Sequence, residues 1–182
     1  MTGVQTCALP IFYEFPKPII AAVNGPAIAG GMALATIPDF TLAAPEAKFG
    51  YTEVRVGFVP AIVASFLIRQ VGELRTRELL LSGRILKAQE ALQLGLVTQI
   101  VDQSDLLPSA RALAQSLLLN SPQAMQAIKC LLSKHAKRRL DDEIEDAIQV
   151  NAQQRSAEDF REGVLAFKQH RRPEWPSLHA KV

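Results

Sequence analysis

The sequence has few of the residues that build disulfide frameworks or metal sites. Only two of its 182 residues are cysteines, Cys7 and Cys130, and no Cys-x-x-Cys or Cys/His pair has metal-ligand spacing. The three histidines, His135, His170 and His179, are scattered through a polar C-terminal region. The sequence therefore argues against a disulfide-stabilised secreted fold, predicts no metal site, and fits a reducing cytoplasm.

An excess of one charge and long apolar runs are also missing. The formal net charge of +2 is too small to predict a nucleic acid or a membrane surface as partner. No apolar run approaches the roughly 20 residues that a membrane-spanning helix needs. Basic residues form two clusters, of which the first is typical of a solvated helix face and the second can attract a phosphate-bearing ligand. These clusters are Lys134, Lys137, Arg138 and Arg139, and Lys168, Arg171 and Arg172.

The first residues differ in character from the rest. The stretch TGVQTCALPI resembles a translated sequencing-library adapter, and it lacks the basic segment that opens a signal peptide. We therefore interpret residues 1–11 as a non-native leader and expect the native sequence to begin near Phe12.

From there on, strand-like and helix-like segments alternate. The apolar runs 18–24, 39–44 and 96–101 are typical of buried strands. Helices are predicted to begin at Gly30, Ala61, Glu73 and Ala88, with glycine or proline at their ends. This order predicts an α/β fold.

After residue 104 the pattern becomes purely helical. Residues 106–119 and 141–154 have helical spacing, and Ser121-Pro122 has the residue types of a helix start. Ser156 with Asp159 fits a capping box for a last helix over 157–170. We therefore predict an α/β core over 12–104 and a helical region over 105–182.

The pair Gly30-Gly31 is the first candidate for chemistry. It follows a strand and a tight turn and opens a helix, whose first N–H groups have no intrahelical acceptor and favour negative charge. Such amides can hold a developing oxyanion. The alternative is that two glycines among alanines only allow close packing.

Glu53 is the second candidate. It stands in GYTEVRVG beside apolar residues, where burial would raise its pKa and suit it to acid–base chemistry. These neighbours are Val54, Val56, Phe58 and Val59. The alternative is a surface glutamate paired with Arg55.

Read as one unit, KPIIAAVNGPAIAGGMALATIPDFTLAAPEAKFGYTEVRVGFVPA resembles the crotonase (enoyl-CoA hydratase/isomerase) superfamily. The resemblance continues through LLLSGRILKAQEALQLGLVTQIV to FREGVLAFKQHRRPEW, so it covers nearly everything from Lys17 onward. Within the family, TEVRVGFVPAIVASFLIRQVGE is most similar to methylglutaconyl- or isohexenylglutaconyl-CoA hydratases.

The resemblance implies a crotonase/ClpP-like spiral of ββα units with a C-terminal helical region that builds trimers, often paired into hexamers. It implies an acyl-CoA thioester substrate, no cofactor other than the coenzyme A of that substrate, and a cytoplasmic enzyme of fatty acid metabolism. Gly30 matches one of the two amide donors that form the family's oxyanion hole, with Gly31 beside it at the substrate. The other donor lies upstream in the family, which implies that this chain lacks its N-terminal part.

The family's acid–base glutamate corresponds to Glu53. Many hydratases carry a second glutamate on the oxyanion helix, where this chain has Ala33, which cannot transfer a proton. The likeness to methylglutaconyl- or isohexenylglutaconyl-CoA hydratases, which have a small residue at this position, nevertheless implies a hydratase-like lyase of the EC 4.2.1 type. Two alternatives stay open: an isomerase that uses one glutamate, and an inactive fragment or scaffold.

Near the C-terminus, Phe167 and Lys168 match the part of the family's last helix that approaches the nucleotide of coenzyme A. Structural packing is an equal alternative for Phe167.

Overall fold

A computed structural model describes residues 3–178, with the side chains of residues 9–137 and 139–178. His179 and the side chains of Cys7 and Arg138 lie outside the described part of the chain. The chain divides into two compact units, one formed by residues 1–50 and 85–141 and the other by residues 51–84 and 142–182.

The elements follow the predicted order. In chain order the helices are α1 (Gly3–Glu14), α2 (Gly30–Thr36), α3 (Ala61–Ser82), α4 (Ala88–Gln93), α5 (Leu106–Leu117), α6 (Pro122–Ser156) and α7 (Glu158–Lys168). The strands are β1 (Ile20–Val23), β2 (Pro26–Ile28), β3 (Phe40–Ala43), β4 (Lys48–Gly50), β5 (Leu86–Lys87) and β6 (Gln99–Ile100). Short 3-10 helices lie at Glu53–Val56 and Pro176–Leu178.

The first unit contains two three-stranded sheets. One has the order β1-β3-β6 and is parallel throughout. The other has the order β2-β4-β5, in which β2 and β4 are parallel and β5 is antiparallel to β4. Because β1 and β2 precede α2, and β3 and β4 follow it, the chain visits the two sheets alternately. This is the ββα repeat that the family resemblance implies.

The core of the first unit is built from residues of β3, which the apolar run 39–44 predicted to be buried, and of β4 and β5, which lie outside the predicted runs, whereas β1 is only partly buried. Leu42, Phe49 and Leu86 are almost completely inaccessible. Leu106, at the start of α5, closes the cluster around Leu42. A fully buried side chain of this size contributes about 1.5–3 kcal/mol relative to an exposed one.

The second unit contains α3, the C-terminal part of α6 and α7. An ion pair between Arg69 and Glu143 (2.6 Å) links α3 to α6. Inside α3 the backbone leaves helical geometry at Gly72, with φ 76° and ψ 168°. The predicted helix end at Gly72 is confirmed as this break, since only glycine adopts such a conformation without strain.

Several sequence predictions need correction. The capping box is wrong: Ala157 precedes α7, the Ser156 hydroxyl donates to the carbonyl of Gln153, and the Asp159 carboxylate accepts hydrogen bonds from Ser177. The separate helix over 141–154 is also wrong, because α6 is continuous from Pro122 to Ser156.

Other differences concern short strands and the limits of the regions. The strands β2, β4 and β5 were not predicted, because two or three residues carry too little pattern to identify a strand. All described elements after residue 104 are helical, as predicted. The two compact units do not coincide with the predicted ranges 12–104 and 105–182. These ranges, which were based on composition, and the leader over residues 1–11 stay predictions.

None of the described helices is both long and apolar enough to cross a bilayer.

Candidate active site

Gly30 and Gly31 open α2 in the first unit, as the sequence predicts. Ala29 lies just before them at φ 54°, held by hydrogen bonds from its own amide to the Gly50 carbonyl (2.7 Å) and from the Met32 amide to its carbonyl (2.9 Å). A positive φ is uncommon for alanine and places strain at this turn. The turn from β2 into α2 is therefore fixed by backbone bonds on both sides.

The amides of these two glycines are free to donate. Within the described residues neither N–H group has a hydrogen-bond acceptor, as expected for the first turn of a helix. Both glycines are exposed, and a Cβ atom at either position would meet nothing within 4 Å. Close packing therefore does not explain the two glycines, whereas an open approach to the Gly30 amide is present.

Ala33 is on the buried side of the same helix. It is fully inaccessible, and its neighbour Met32 is nearly so. Its methyl group supplies no proton-transfer group, so within the first unit α2 contributes amide donors rather than an acid or base.

Glu53 begins the 3-10 helix Glu53–Val56, which lies in the second unit. The amide of Phe58 donates to the Glu53 carbonyl (3.0 Å), and Gly57 ends the short helix at φ 68°. Left-handed backbone of this kind favours glycine, so GYTEVRVG encodes the turn that follows the glutamate.

Glycines also allow the chain around Glu53 to lie directly against α7 and the end of α3. A Cβ atom at Gly163 would be 2.4 Å from the carbonyl carbon and oxygen of Val56, and one at Gly57 would be 2.6 Å from the Asp159 carbonyl oxygen. At Gly83 it would be 2.8 Å from Val54. These distances are too short for real carbon atoms, so the backbone carrying Glu53 is held by contacts that only glycine permits.

An open cavity of about 480 Å³ lies beside the 3-10 helix. Its lining residues are Glu53, Val56, Phe58, Arg155 and Phe160. The rings of Phe58 and Phe160 pack with centroids 5.2 Å apart and an interplanar angle of 46°. The walls formed by these described residues are thus mainly aromatic and aliphatic, with one acidic and one basic group.

The environment of Glu53 favours its protonated form. Its Oε2 atom is buried and has no hydrogen-bond partner within the described residues. Burial raises the pKa of Glu53 above its ordinary value, and a hydrogen bond from its own backbone amide opposes this only in part. Among the described side chains Glu53 has no ion pair with Arg55, which is exposed, so the surface-pair alternative is not what the structure shows.

Phe167 and Lys168 lie at the end of α7, away from this cavity. Phe167 is 73% exposed, and neither residue is among those that line the cavity. Seven residues of helix separate Phe167 from Phe160, about 10 Å along the axis. The structure therefore does not bring these two predicted residues together with Glu53.

The second basic cluster is partly committed to the protein itself. The guanidinium of Arg171 donates to both carboxylate oxygens of Glu162, at 2.5 and 2.9 Å. This pairing lowers the pKa of Glu162 to about 2. Arg171 thus holds the C-terminal segment to α7.

Sequence reasoning missed Arg155, Phe160 and the packing role of Gly163. Phe58, in the apolar run after Glu53, is one of the neighbours from which the sequence predicts burial of Glu53. The three missed residues lie on α6 and α7, and nothing local in their sequence points to a residue more than one hundred positions upstream.

Comparison with known proteins connects this geometry to a family. The family model described as enoyl-CoA hydratase/isomerase matches residues 8–178. A Thermus thermophilus protein whose name places it among the enoyl-CoA hydratases is 44% identical over 88% of this chain and 64% of its own length. The 2,3-dehydroadipyl-CoA hydratase of Escherichia coli is 36% identical over the same shares of the two chains.

Solved structures agree in fold. The carnitinyl-CoA hydratase of Mycobacterium avium superposes with a TM-score of 0.85 at 31% identity, over 91% of this chain and 66% of that one. An enoyl-CoA hydratase/isomerase of Pseudoalteromonas atlantica gives 0.85 at 32% identity, over 92% and 68%.

The chain spans 64% of the length of each of the two curated relatives described above. Their names do not support the methylglutaconyl- or isohexenylglutaconyl-CoA subgroup that the sequence indicated. The match over residues 8–178, together with the ββα repeat, shows that this chain belongs to the enoyl-CoA hydratase/isomerase (crotonase) family.

Proposed function

We propose that this chain acts on acyl-CoA thioesters as a hydratase-like lyase and that Glu53 transfers the proton at the acyl chain. The observation that carries this proposal is the Glu53 carboxyl group, which is half-buried in an apolar cavity and has one oxygen without a partner among the described residues. A carboxyl group whose pKa is raised by burial exchanges protons more readily near neutral pH than an exposed one. The names of the relatives support an enoyl-CoA substrate.

In the proposed hydration, the Glu53 carboxylate takes a proton from water while the water oxygen bonds to Cβ of the enoyl group. The electron pair of the carbon–carbon double bond moves towards the thioester and forms an enolate. The protonated Glu53 then returns its proton to Cα, which restores the thioester carbonyl. One carboxyl group thus serves as base and then as acid, and no cofactor is required.

The enolate needs hydrogen-bond donors at the thioester oxygen. We propose the amide of Gly30 as one of them, because this amide is exposed and has no acceptor of its own in the described part of the chain. Losing one such donor typically costs about 100- to 1,000-fold in kcat. Gly31 is proposed to border the substrate beside it.

Ala33 favours a second candidate, an enoyl-CoA isomerase. In that reaction Glu53 removes a proton from one carbon of the acyl chain and returns it to another, so a second proton-transfer group is unnecessary. A third candidate, a scaffold without activity, is favoured by the same alanine.

The decisive experiment replaces Glu53 by glutamine in the full chain. We expect Glu53→Gln to lower turnover of enoyl-CoA substrates by about 100- to 10,000-fold, the usual contribution of general acid–base catalysis. Binding of the thioester, measured by calorimetry, should change little. The control is Glu46→Gln, a substitution at an exposed glutamate outside the cavity.

The products separate the candidate functions. Formation of a 3-hydroxyacyl-CoA supports the hydratase, and migration of the double bond supports the isomerase. Near-wild-type turnover by Glu53→Gln would show that Glu53 is the wrong residue, and binding without any turnover by the wild-type chain would leave only the scaffold.

The proposal extends to assembly and setting. We propose a homotrimer or a pair of trimers, a cytoplasmic location and a role in fatty acid metabolism. Phe167 and Lys168 are proposed to contact the nucleotide of coenzyme A, which their exposure at the end of α7 permits.

A further inference from the structure

Among the described residues that line the Glu53 cavity, Arg155 is the one basic residue. Within the described residues its guanidinium has no ion pair and no hydrogen-bond partner, whereas Arg69 and Arg171 are each paired with a carboxylate. The side chain is exposed overall, as expected for a group at the rim of an open cavity. An arginine that is left unpaired beside an apolar cavity is available to an anionic ligand.

Glu53 does not neutralise Arg155. The two residues line the same cavity but form no ion pair, and Arg155 is not among the groups that shift the pKa of Glu53. The cavity therefore offers a proton-transfer group and a separate cationic group, so both can act on different parts of one ligand.

Arg155 lies at the C-terminal end of one face of α6, and the residues that precede it on this face point towards the protein interior. Ala147, Asn151 and Arg155 follow one another at intervals of four residues, which places them on one side of the helix. Ala147 is buried, and the Oδ1 atom of Asn151 is buried without a hydrogen-bond partner in the described part of the chain. Packing along this face holds the helix that carries Arg155 and limits where its guanidinium can reach.

The other walls indicate what kind of ligand the guanidinium would meet. Val56, Phe58 and Phe160 form an apolar surface that suits a hydrocarbon chain. Because Glu53 is proposed to act on the acyl carbons, this cavity would take the acyl group rather than the phosphates of coenzyme A. A guanidinium in the same cavity then matches a carboxylate on that acyl group, with which it can form two parallel hydrogen bonds.

We propose that Arg155 binds a carboxylate at the far end of the acyl group, so that the preferred substrates are CoA monothioesters of dicarboxylic enoic acids. This inference rests on the proposed function and adds the substrate class. The volume of about 480 Å³ lies within the range of small-molecule sites, roughly 300–1,000 Å³. Arg155 is a specificity residue in this proposal, while proton transfer belongs to Glu53.

The test compares two saturated thioesters with six-carbon acyl groups, hexanoyl-CoA and adipyl-CoA, which differ by one terminal carboxylate. Their dissociation constants are measured by calorimetry with the full chain. We expect the wild type to bind adipyl-CoA about tenfold or more tightly than hexanoyl-CoA, as a charge-assisted hydrogen-bonded pair warrants. Arg155→Met should remove this preference and leave the hexanoyl-CoA affinity unchanged.

Two further variants make the result specific. Arg161→Met removes the same charge from an arginine that does not line the cavity, and it should keep the preference. Arg155→Lys keeps the charge but loses the two-pronged geometry, and it should keep part of the preference. Circular dichroism checks that each variant is folded.

Equal affinity of the wild type for the two thioesters would overturn the inference. So would a loss in Arg155→Met that is equal for both ligands, which would place the guanidinium at the coenzyme A phosphates. Either result leaves the proposed function standing if Glu53→Gln abolishes turnover. If the wild type binds neither thioester, both the inference and the proposed function fail.

Discussion

At the scale of single residues, the unusual group is the carboxyl of Glu53. A carboxylate oxygen that is buried without a partner is destabilising, because desolvation of the charge is not compensated by hydrogen bonds. The fold tolerates this at a position whose backbone is fixed by Gly57 and Gly163. Tolerated strain and unpaired polar groups are typical of functional sites, where they prepare the chemistry.

This arrangement predicts how stability depends on pH. The folded pKa of Glu53 is raised above 4.5, so the folded state disfavours the charged form. Below pH 4.5 Glu53 is protonated in both the folded and the unfolded state, so its burial costs no charge desolvation. As pH rises through the raised pKa, Glu53 loses its proton, and the unfavourable free energy of burying the charge lowers the stability of the folded state.

We therefore expect Glu53→Gln to raise the melting temperature at pH 7.5 and to have a much smaller effect at pH 4. Thermal unfolding followed by circular dichroism at both pH values measures the difference. Glu46→Gln should show no such trend. An equal rise in melting temperature at the two pH values would indicate that glutamine improves packing rather than removing a desolvated charge.

At the scale of elements, the position of Glu53 depends on the contact between its 3-10 helix and α7. The backbone of Val56 lies directly against Gly163, with no space for a side chain between them. Phe58 and Phe160 continue the contact on the cavity side. A short 3-10 helix has little stability of its own, so this packing decides where the carboxyl group lies.

Gly163→Ala tests that contact. In a helix interior this substitution ordinarily stabilises by about 0.5–1 kcal/mol, but here the new methyl group would overlap the Val56 carbonyl. We expect a loss of about 1–3 kcal/mol in unfolding free energy, typical of overpacking, together with lower turnover. Denaturant unfolding and a steady-state assay measure the two effects.

Gly25→Ala is the matched control, because a Cβ atom at Gly25 meets nothing within 4 Å and its φ is not positive. It should leave stability and turnover close to those of the wild type. If Gly163→Ala behaves like this control, α7 can shift without moving Glu53. In that case the contact between α7 and the 3-10 helix does not determine the position of Glu53.

At the scale of the whole molecule, apolar surface remains exposed on the first unit. On α6, Ile128, Leu131 and Leu132 are 58%, 53% and 60% exposed and lie three and four residues apart, on one side of the helix. Leu118 and Leu119, just after α5, are more exposed still. Exposed apolar side chains on one side of a helix, such as those of Ile128, Leu131 and Leu132, are typical of an interaction surface.

We expect this face to be covered by further copies of the chain. Sedimentation velocity should give the mass of a trimer or a hexamer, and Leu131→Glu should shift the distribution towards monomer, because a charge would be buried at the interface. Leu74→Glu, at an exposed leucine of the second unit, should not change the mass. A wild-type chain that sediments as a monomer would contradict the proposed assembly.

The sequence by itself determined the features that depend on local chemistry. Glycine and proline marked the ends of most helices, apolar runs marked β1 and β3, and the glycines at the start of α2 marked its free amides. These predictions are confirmed because turn and cap preferences depend on backbone geometry within a few residues. The motif that contains Gly30 and Glu53 likewise indicated the family, since it is long and continuous in the chain.

Tertiary structure decided what surrounds Glu53. Arg155 and Phe160 join its cavity from more than one hundred positions away, Gly163 accepts the backbone of Val56, and Phe167 lies outside the cavity. The structure also shows α6 as one continuous helix, and the Asp159 carboxylate accepts a hydrogen bond from Ser177 instead of forming a capping box. Local sequence carries no record of such contacts, since they depend on which faces of distant elements meet, and that is fixed only when the chain buries its apolar surface.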